Sequence, residues 1–439
     1  MLSQSLNETF QTEPIRYKIK TTMNVKSNFA ETINTTCPCK TLDRQKLLAE
    51  LGKENRLEGL DQKMMDSRPH LFSSTTVFIN QKNIDEIKHL ISVIDRTIKS
   101  SKYKEVILAN APQVAKPDWG TSGVFMGYDF HLTGEGPKLI EINTNAGGAF
   151  LNAELARSQT DCCGEFKFEK NIEKIFYEMF LNEWMLQKGT LPLRTVAIVD
   201  ESPESQFLFP EFKLFEWLLN SYNVQCFILD PKDLVWRDQK LWYGEISIDL
   251  IYNRLTDFYL ENDKLKVLKN AYLSGSVVMT PNPHHFALYA NKANFEVLSH
   301  ESHLMSLDIT PADINTLLKG IPATEKLVAG ASETYWNRRK ELFFKPMIGY
   351  GSKAGYRGDK ITKRVWEEIL QGDYVAQRIV SPSRRVIEVD GKKSNLKVDL
   401  RAYVYAGAVQ FLAARLYSGQ TTNFRTEGGG FAPVCITQL

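Results

Sequence analysis

No run in the 439-residue chain approaches the roughly 18 consecutive apolar residues that a membrane helix needs, so no membrane partner is expected. Charge of one sign is not in excess either: 54 Lys and Arg face 52 Asp and Glu, a formal +2. That balance lacks the basic footprint of a nucleic-acid binder, and no nucleic-acid partner is expected. The first thirty-odd residues are polar and carry no apolar signal-peptide core, which makes cytoplasmic the expected location. Cysteine is scarce, six in the whole chain, too few for a disulfide framework at this length. Cys226 and Cys435 fall in apolar strand-like runs, where a free thiol behaves as a small hydrophobe. Cys37 and Cys39, and the adjacent Cys162 and Cys163, lack the C-x2-4-C spacing that points two thiolates at one metal. They read as partly buried thiols, with zinc and a redox or substrate-contact role as alternatives.

What is present is an ordinary globular composition, 43% hydrophobic and 24% charged, without repeats or low-complexity tracts. At about 150 residues per domain the length suggests two or three units. Residues 1–40 are polar with little periodicity, and order is expected to begin at Asp43, an N-cap before a helical pattern. Apolar residues at Ile84, Ile87, Leu90, Ile91, Val93 and Ile94 predict a helix, and KEVILANAP predicts a short strand after it. VFMGYDFHLTGEGPKLIEINTN predicts a hairpin turning at its glycines. A long helix through NIEKIFYEMFLNEWMLQK closes this part, which spans residues 41–188. Over 189–300, strands in RTVAIVD, QCFILDP, IDLIYNRL and VVMTPNP alternate with helical stretches, as in a parallel α/β unit. Its strand ends carry Asp200, Asp230, Asn253, Arg254 and Asn282, which either meet a ligand there or cap loops. Residues 301–439 read as α+β: a glycine-rich loop, the helix KRVWEEIL, and several antiparallel-looking strands.

Three motifs carry chemistry. The loop from Lys345 to Gly358 holds Gly349, Gly351, Gly355 and Gly358 with Lys345 and Lys353, suited to polyphosphate, yet it matches neither the P-loop nor the Rossmann pattern. A flexible surface loop is the alternative. In IEIN, Glu141 and Asn143 alternate along a strand and share one face, about 6 to 7 Å apart. They offer magnesium two hard oxygen ligands, or they form the polar face of an amphipathic strand. In LKVDLRAYVYAG, Asp399 and Arg401 share a face, and Arg415, Asn423 and Arg425 follow a strand later. Charges among Val, Leu, Ala and Tyr are costly to bury unless paired with each other or with a ligand.

Together these residues resemble the ATP-grasp superfamily, and more closely its circularly permuted members of the eukaryotic glutathione synthetase type. The resemblance runs from about residue 120 to 435 as ordered motifs. It implies an ATP-grasp fold with an inserted parallel α/β domain, and ATP and Mg2+ as cofactors. It implies that Glu141 and Asn143 hold metal and that Lys292, in YANKANF, and Lys345 hold nucleotide. Gly349, Gly351 and Ser352 in the lid, Gln377 in the adenine hinge and Asn423 complete that nucleotide set. Arg401 and Arg415 then stabilise the transferring phosphoryl group. Asp129, in GYDFH, with Arg254, Asn282 and Arg425 faces substrate, and His131 is a further candidate there. The chain departs from the family in its lid, which reads KPMIGYGS without an acid, so the third metal ligand falls to Asp399. No E-x-N follows the D-x-R strand, so the metal strand must come from the N-terminal part. The implied activity joins a small-molecule carboxylate to an amine through an acylphosphate, releasing ADP and phosphate. A nucleotide-binding sensor and a small-molecule kinase are the other readings, and a homodimer is one option for an oligomeric state the residues do not specify.

Overall fold

The computed structural model describes residues 29–160, 171–349, 351 and 354–437. Cys162, Cys163, Ser352 and Lys353 lie outside the described residues. Three strands come from the N-terminal part: β1 (Val77–Asn80), β2 (Met126–Thr133) and β3 (Gly136–Asn143). Next come β4 (Thr195–Val199), β5 (Gln225–Leu229), β6 (Val235–Arg237), β7 (Lys240–Tyr243), β8 (Ile246–Ser247), β9 (Leu250–Asn253) and β10 (Val278–Thr280). A third group holds β11 (Thr324–Lys326), β12 (Leu342–Pro346), β13 (Tyr356–Arg357) and β14 (Tyr374–Arg378). The last four are β15 (Ser383–Val389), β16 (Lys392–Tyr405), β17 (Ala408–Tyr417) and β18 (Gly430–Thr437).

The largest sheet is woven from both ends of the chain, in the order β1-β18-β17-β16-β2-β3, with β15 along the first half of β16. Its two faces follow from the period of two along each strand. On β16, Val398, Leu400, Ala402 and Val404 join the core beneath the helix Gln81–Lys99. The intervening residues of that strand, Asp399 and Arg401, turn to the opposite face. Tyr128, Phe130, Leu139 and Ile142 of the β2-β3 hairpin fill the same core, which leaves Asp129, Glu141 and Asn143 on the other side. A second core, rich in Phe125, Phe150, Phe176, Phe180 and Phe215, joins that other side to the α/β unit. There, β10, β9, β4 and β5 form a parallel sheet in that order. The strands β11, β14, β12 and β13 make a small antiparallel sheet. It has a core of its own around Phe344, Trp366 and Ile369.

Four features differ from the expectations. KEVILANAP is helical, Ser101–Ala109, because Ser100 caps it through the Tyr103 amide and Tyr103 buries its ring. Its Val-Ile-Leu run is too short for periodicity to separate strand from helix. Order begins before Asp43, with a helix over Phe29–Thr36, although Asp43 does cap the helix Arg44–Gly52. Cys37 and Cys39 form a disulfide and are not free thiols. A three-stranded ribbon of β6, β7 and β8 stands beside the parallel sheet, where no strands were expected.

Candidate active site

A cavity of about 480 Å³ lies against the polar face of the large sheet, bounded by the α/β unit and the small antiparallel sheet. Its floor is a chain of buried ion pairs set by strand register. Asp129 stands opposite Arg401, and Asp399 opposite Arg415. Arg401 grips Asp129 with Nε and Nη2, both at 2.7 Å. Arg415 bridges the two acids, Nη2 to Asp129 at 2.8 Å and Nε to Asp399 at 2.7 Å. The Thr422 hydroxyl donates to the other Asp399 oxygen. Burial alone would raise the Asp129 carboxyl, but the two guanidiniums outweigh it and hold the acid well below the usual range.

Glu141 and Asn143 extend this floor on β3. The β2-β3 register pairs Asp129 with Glu141 and then Phe130 with Leu139, which leaves Ile140 as a bulge without a partner. A bulge frees backbone groups from the ladder. The carbonyl of Ile140 accepts from Lys345 Nζ at 2.7 Å. Lys345 also donates to Gln377 at 2.8 Å, and Gln377 to the Thr324 hydroxyl at 3.1 Å. Lys345 is therefore fixed between the large sheet and the small one. Burial, with the like charge of Lys292, lowers its ammonium to about 8 against the opposing pull of Glu141. Lys292 reaches Glu141 at 3.0 Å and the Gly349 carbonyl at 3.0 Å. Burial pushes the Glu141 carboxyl up, yet the two lysines prevail and hold it lowered. Asn143 spends its amide nitrogen on Asp129 at 3.2 Å, which leaves its oxygen for another partner. Among the described residues no three His, Cys, Asp or Glu side chains converge as a metal cluster.

The structure thus brings Glu141, Asn143, Asp399, Arg401, Arg415, Lys292, Lys345, Gln377 and Asp129 to one cavity. Gly349, Gly351, His131 and Arg254 line it as well. Asn282 does not: it caps the turn at Pro283–His285 and bonds the Thr121 hydroxyl. Asn423 and Arg425 also stand off the cavity wall, Asn423 closing its own loop through the Ser418 and Thr421 carbonyls. Gly358 is not among the lining residues either; a Cβ there would strike the Arg339 carbonyl at 2.0 Å, a packing reason for glycine. Asp399 has both oxygens occupied, so the arrangement described is the ion pair that stood as the alternative to a metal ligand. Sequence reasoning missed Thr422, Phe207 and Phe424 on the wall. Nothing in TTNF or SQFL sets them apart, because two distant loops meet only in the folded chain. It also missed Glu211, a buried acid that accepts from the Gly148 and Phe150 amides at 2.7 and 3.0 Å and holds the turn after β3.

No family model and no curated protein matches the sequence. Among solved structures the chain is similar to a glutathione synthetase-like effector from Globodera pallida, solved in its apo form. The TM-score is 0.53 at 11% identity, over 90% of this chain and 98% of that one. It is also similar to a protein described as a gamma-glutamylcysteine synthetase from Methylobacillus flagellatus, with a TM-score of 0.44 at 11% identity over 78% and 84% of the two chains. A third is the ATP-grasp ligase PsnB in complex with a minimal precursor, with a TM-score of 0.30 at 10% identity over 51% and 86%. At such identities the likeness is one of fold.

Proposed function

The chain has the ATP-grasp fold, and from that premise we propose that it is an ATP- and Mg2+-dependent carboxylate–amine ligase. The observation that carries this reading is one wall of the cavity, where Lys292 pairs with Glu141 and Lys345 is held on the neighbouring Ile140 carbonyl, beside Asn143. Two ammonium groups and two oxygen donors, on strands and loops far apart in the chain, suit a polyphosphate with its cation. Magnesium takes few protein ligands and keeps water and phosphate oxygens, so Glu141 and Asn143 would suffice to hold it. Bound there, the ion would neutralise phosphate charge and template the transfer.

The chain's own groups do the rest by position and charge. Lys345, held by Ile140 and Gln377, presents its ammonium without further reorganisation. The lid strand places Phe343 and Lys345 on the cavity side, while Phe344 anchors it from behind. Arg401 and Arg415 are oriented by Asp129 and Asp399, and neither uses Nη1 in those pairs. Those remaining N–H groups are available to a phosphoryl oxygen and to the oxyanion formed when the amine attacks. Asp399 in this reading positions Arg415; to ligate a cation it would first have to give up Arg415 or Thr422. No side-chain nucleophile is needed.

The test is ADP release on incubation with Mg-ATP and pools of amino acids, polyamines and short peptides, with products identified by mass. An amide product with ADP is expected. Glu141→Gln should abolish turnover and leave the melting curve of the ligand-free protein close to the parent's. No ADP with any pool, from protein whose melting temperature Mg-ATP still raises, would overturn the ligase reading in favour of a nucleotide sensor. A phosphorylated product instead of an amide would make it a kinase.

A further inference from the structure

One end of the cavity is lined by Asn145, Gly147, Leu208 and Arg254. Arg254, at the carboxyl end of β9, is 8% exposed, and its Nε has no partner. Nη1 donates to the Asn145 carbonyl at 3.0 Å and the Tyr252 hydroxyl at 3.2 Å, both neutral acceptors. Among the described ion pairs none includes Arg254. Glu211 and Asp200 act on the guanidinium only from beyond ion-pair distance. A buried guanidinium with an orphaned N–H and no carboxylate in direct contact is costly unless an anion joins it.

The same cavity has an aromatic wall. Phe207 lines the cavity yet is 41% exposed, which is unusual for a large ring in a concave site. Its ring lies 5.4 Å from that of Phe424, and Phe424 backs onto Phe431 at 4.7 Å. Arg68 fixes the Phe207 carbonyl at 2.7 Å. Gly147 lets this end close: a Cβ there would meet Leu208 at 2.4 Å and Arg254 Nη2 at 2.8 Å.

We infer that this end of the cavity binds an α-amino acid with a bulky apolar or aromatic side chain, its carboxylate on Arg254 and its side chain against Phe207 and Phe424. Asp200, which lines the same end, supplies an acid for the ammonium group. Burial pushes its carboxyl up to about 6, which an incoming cation would reverse. Calling this amino acid one of the two substrates rests on the ligase reading; its binding does not.

Equilibrium binding to the full chain, without nucleotide, separates the two claims. L-Phenylalanine and L-leucine should bind, and glycine should bind at least about tenfold more weakly, as expected for loss of apolar contact in a pocket. L-Phenylalaninol, lacking the carboxylate, should not bind measurably. Phe424→Ala should weaken phenylalanine roughly tenfold and leave glycine unchanged. Arg254→Met should remove all amino-acid binding, in protein that still binds Mg-ATP. Glycine binding as tightly as phenylalanine, or no amino acid binding to protein that binds Mg-ATP, overturns the subsite. Phenylalanine binding that never leads to ADP release sinks the ligase reading and leaves the subsite standing. Turnover confined to small polar substrates does the reverse.

Discussion

Asp129 and Glu154 are buried acids that each meet two arginines, and they end with opposite charge preferences. Both oxygens of Asp129 are paired, by Arg401, Arg415 and Asn143, and its carboxyl is lowered. Glu154 accepts Arg56 and Arg157 on Oε1 alone, each at 3.0 Å, and its buried Oε2 has no partner. Burial therefore prevails and raises Glu154 to about 7, against the pull of Arg157 and Arg56. A carboxyl raised on folding gives stability that is fully present below its unfolded value, near 4.5, and is lost as pH rises through about 7. The parent should thus lose up to roughly 3 kcal/mol on this account across that window. Glu154→Gln should flatten the loss, and urea titrations of both proteins from pH 5 to pH 8 would measure it. A variant that tracks the parent's pH dependence would show that the arginines, not burial, control this acid. Asp129 could be singled out from GYDFH, whereas an orphaned oxygen on Glu154 depends on packing that no local pattern encodes.

The helix Phe29–Thr36 is eight residues long and would not persist alone. It is held by two devices. Asn34 pairs with Phe78 as a strand residue would, its Nδ2 donating to the carbonyl at 2.8 Å and its Oδ1 accepting the amide at 3.0 Å. The exposed edge of β1 is covered in this way. Arg385, fully buried on β15, donates to the carbonyls of Ile33, Asn34 and Cys37 at the C-terminal end of the helix, where the Ile33 carbonyl also accepts the Cys37 amide. Asn34→Ala should cost about 1–3 kcal/mol, because both backbone groups of Phe78 lose a buried partner. Urea unfolding would measure it, and a loss below about 0.5 kcal/mol would show that water replaces the side chain. This element was illegible in the sequence because only Phe29, Ala30 and Ile33 are apolar in FAETINTT, too few to show a period. The helix Gln81–Lys99, with eight buried residues, was legible for the opposite reason.

Across the whole molecule, one cavity is bounded by three sheets whose strands come from distant parts of the chain. A ligand bridging them should stabilise the folded state by mass action, by about 2.7 kcal/mol at a concentration 100 times its Kd. Saturating Mg2+ with a non-hydrolysable ATP analogue should therefore raise the melting temperature, and EDTA should remove most of the shift. A shift indifferent to EDTA would take the metal role from Glu141 and Asn143. In the described residues no helix is long and apolar enough to cross a membrane, in keeping with the lack of long apolar runs.

By itself the sequence determined the hairpin that carries Glu141 and Asn143, the parallel α/β unit and the strands of Asp399, Arg401 and Arg415. Each of these is written in a period of two or 3.6 residues, or in a short motif, and such local signals survive without knowledge of neighbours. Tertiary structure alone decided that Asp399 pairs with Arg415 and Thr422, that a bulge at Ile140 offers Lys345 a carbonyl, and that Phe207 meets Phe424. Those outcomes depend on register between strands and on contact between loops more than two hundred residues apart. The energy of a buried charge or an open ring is set by what stands opposite it, which is a property of the fold and not of the neighbouring residues in the chain.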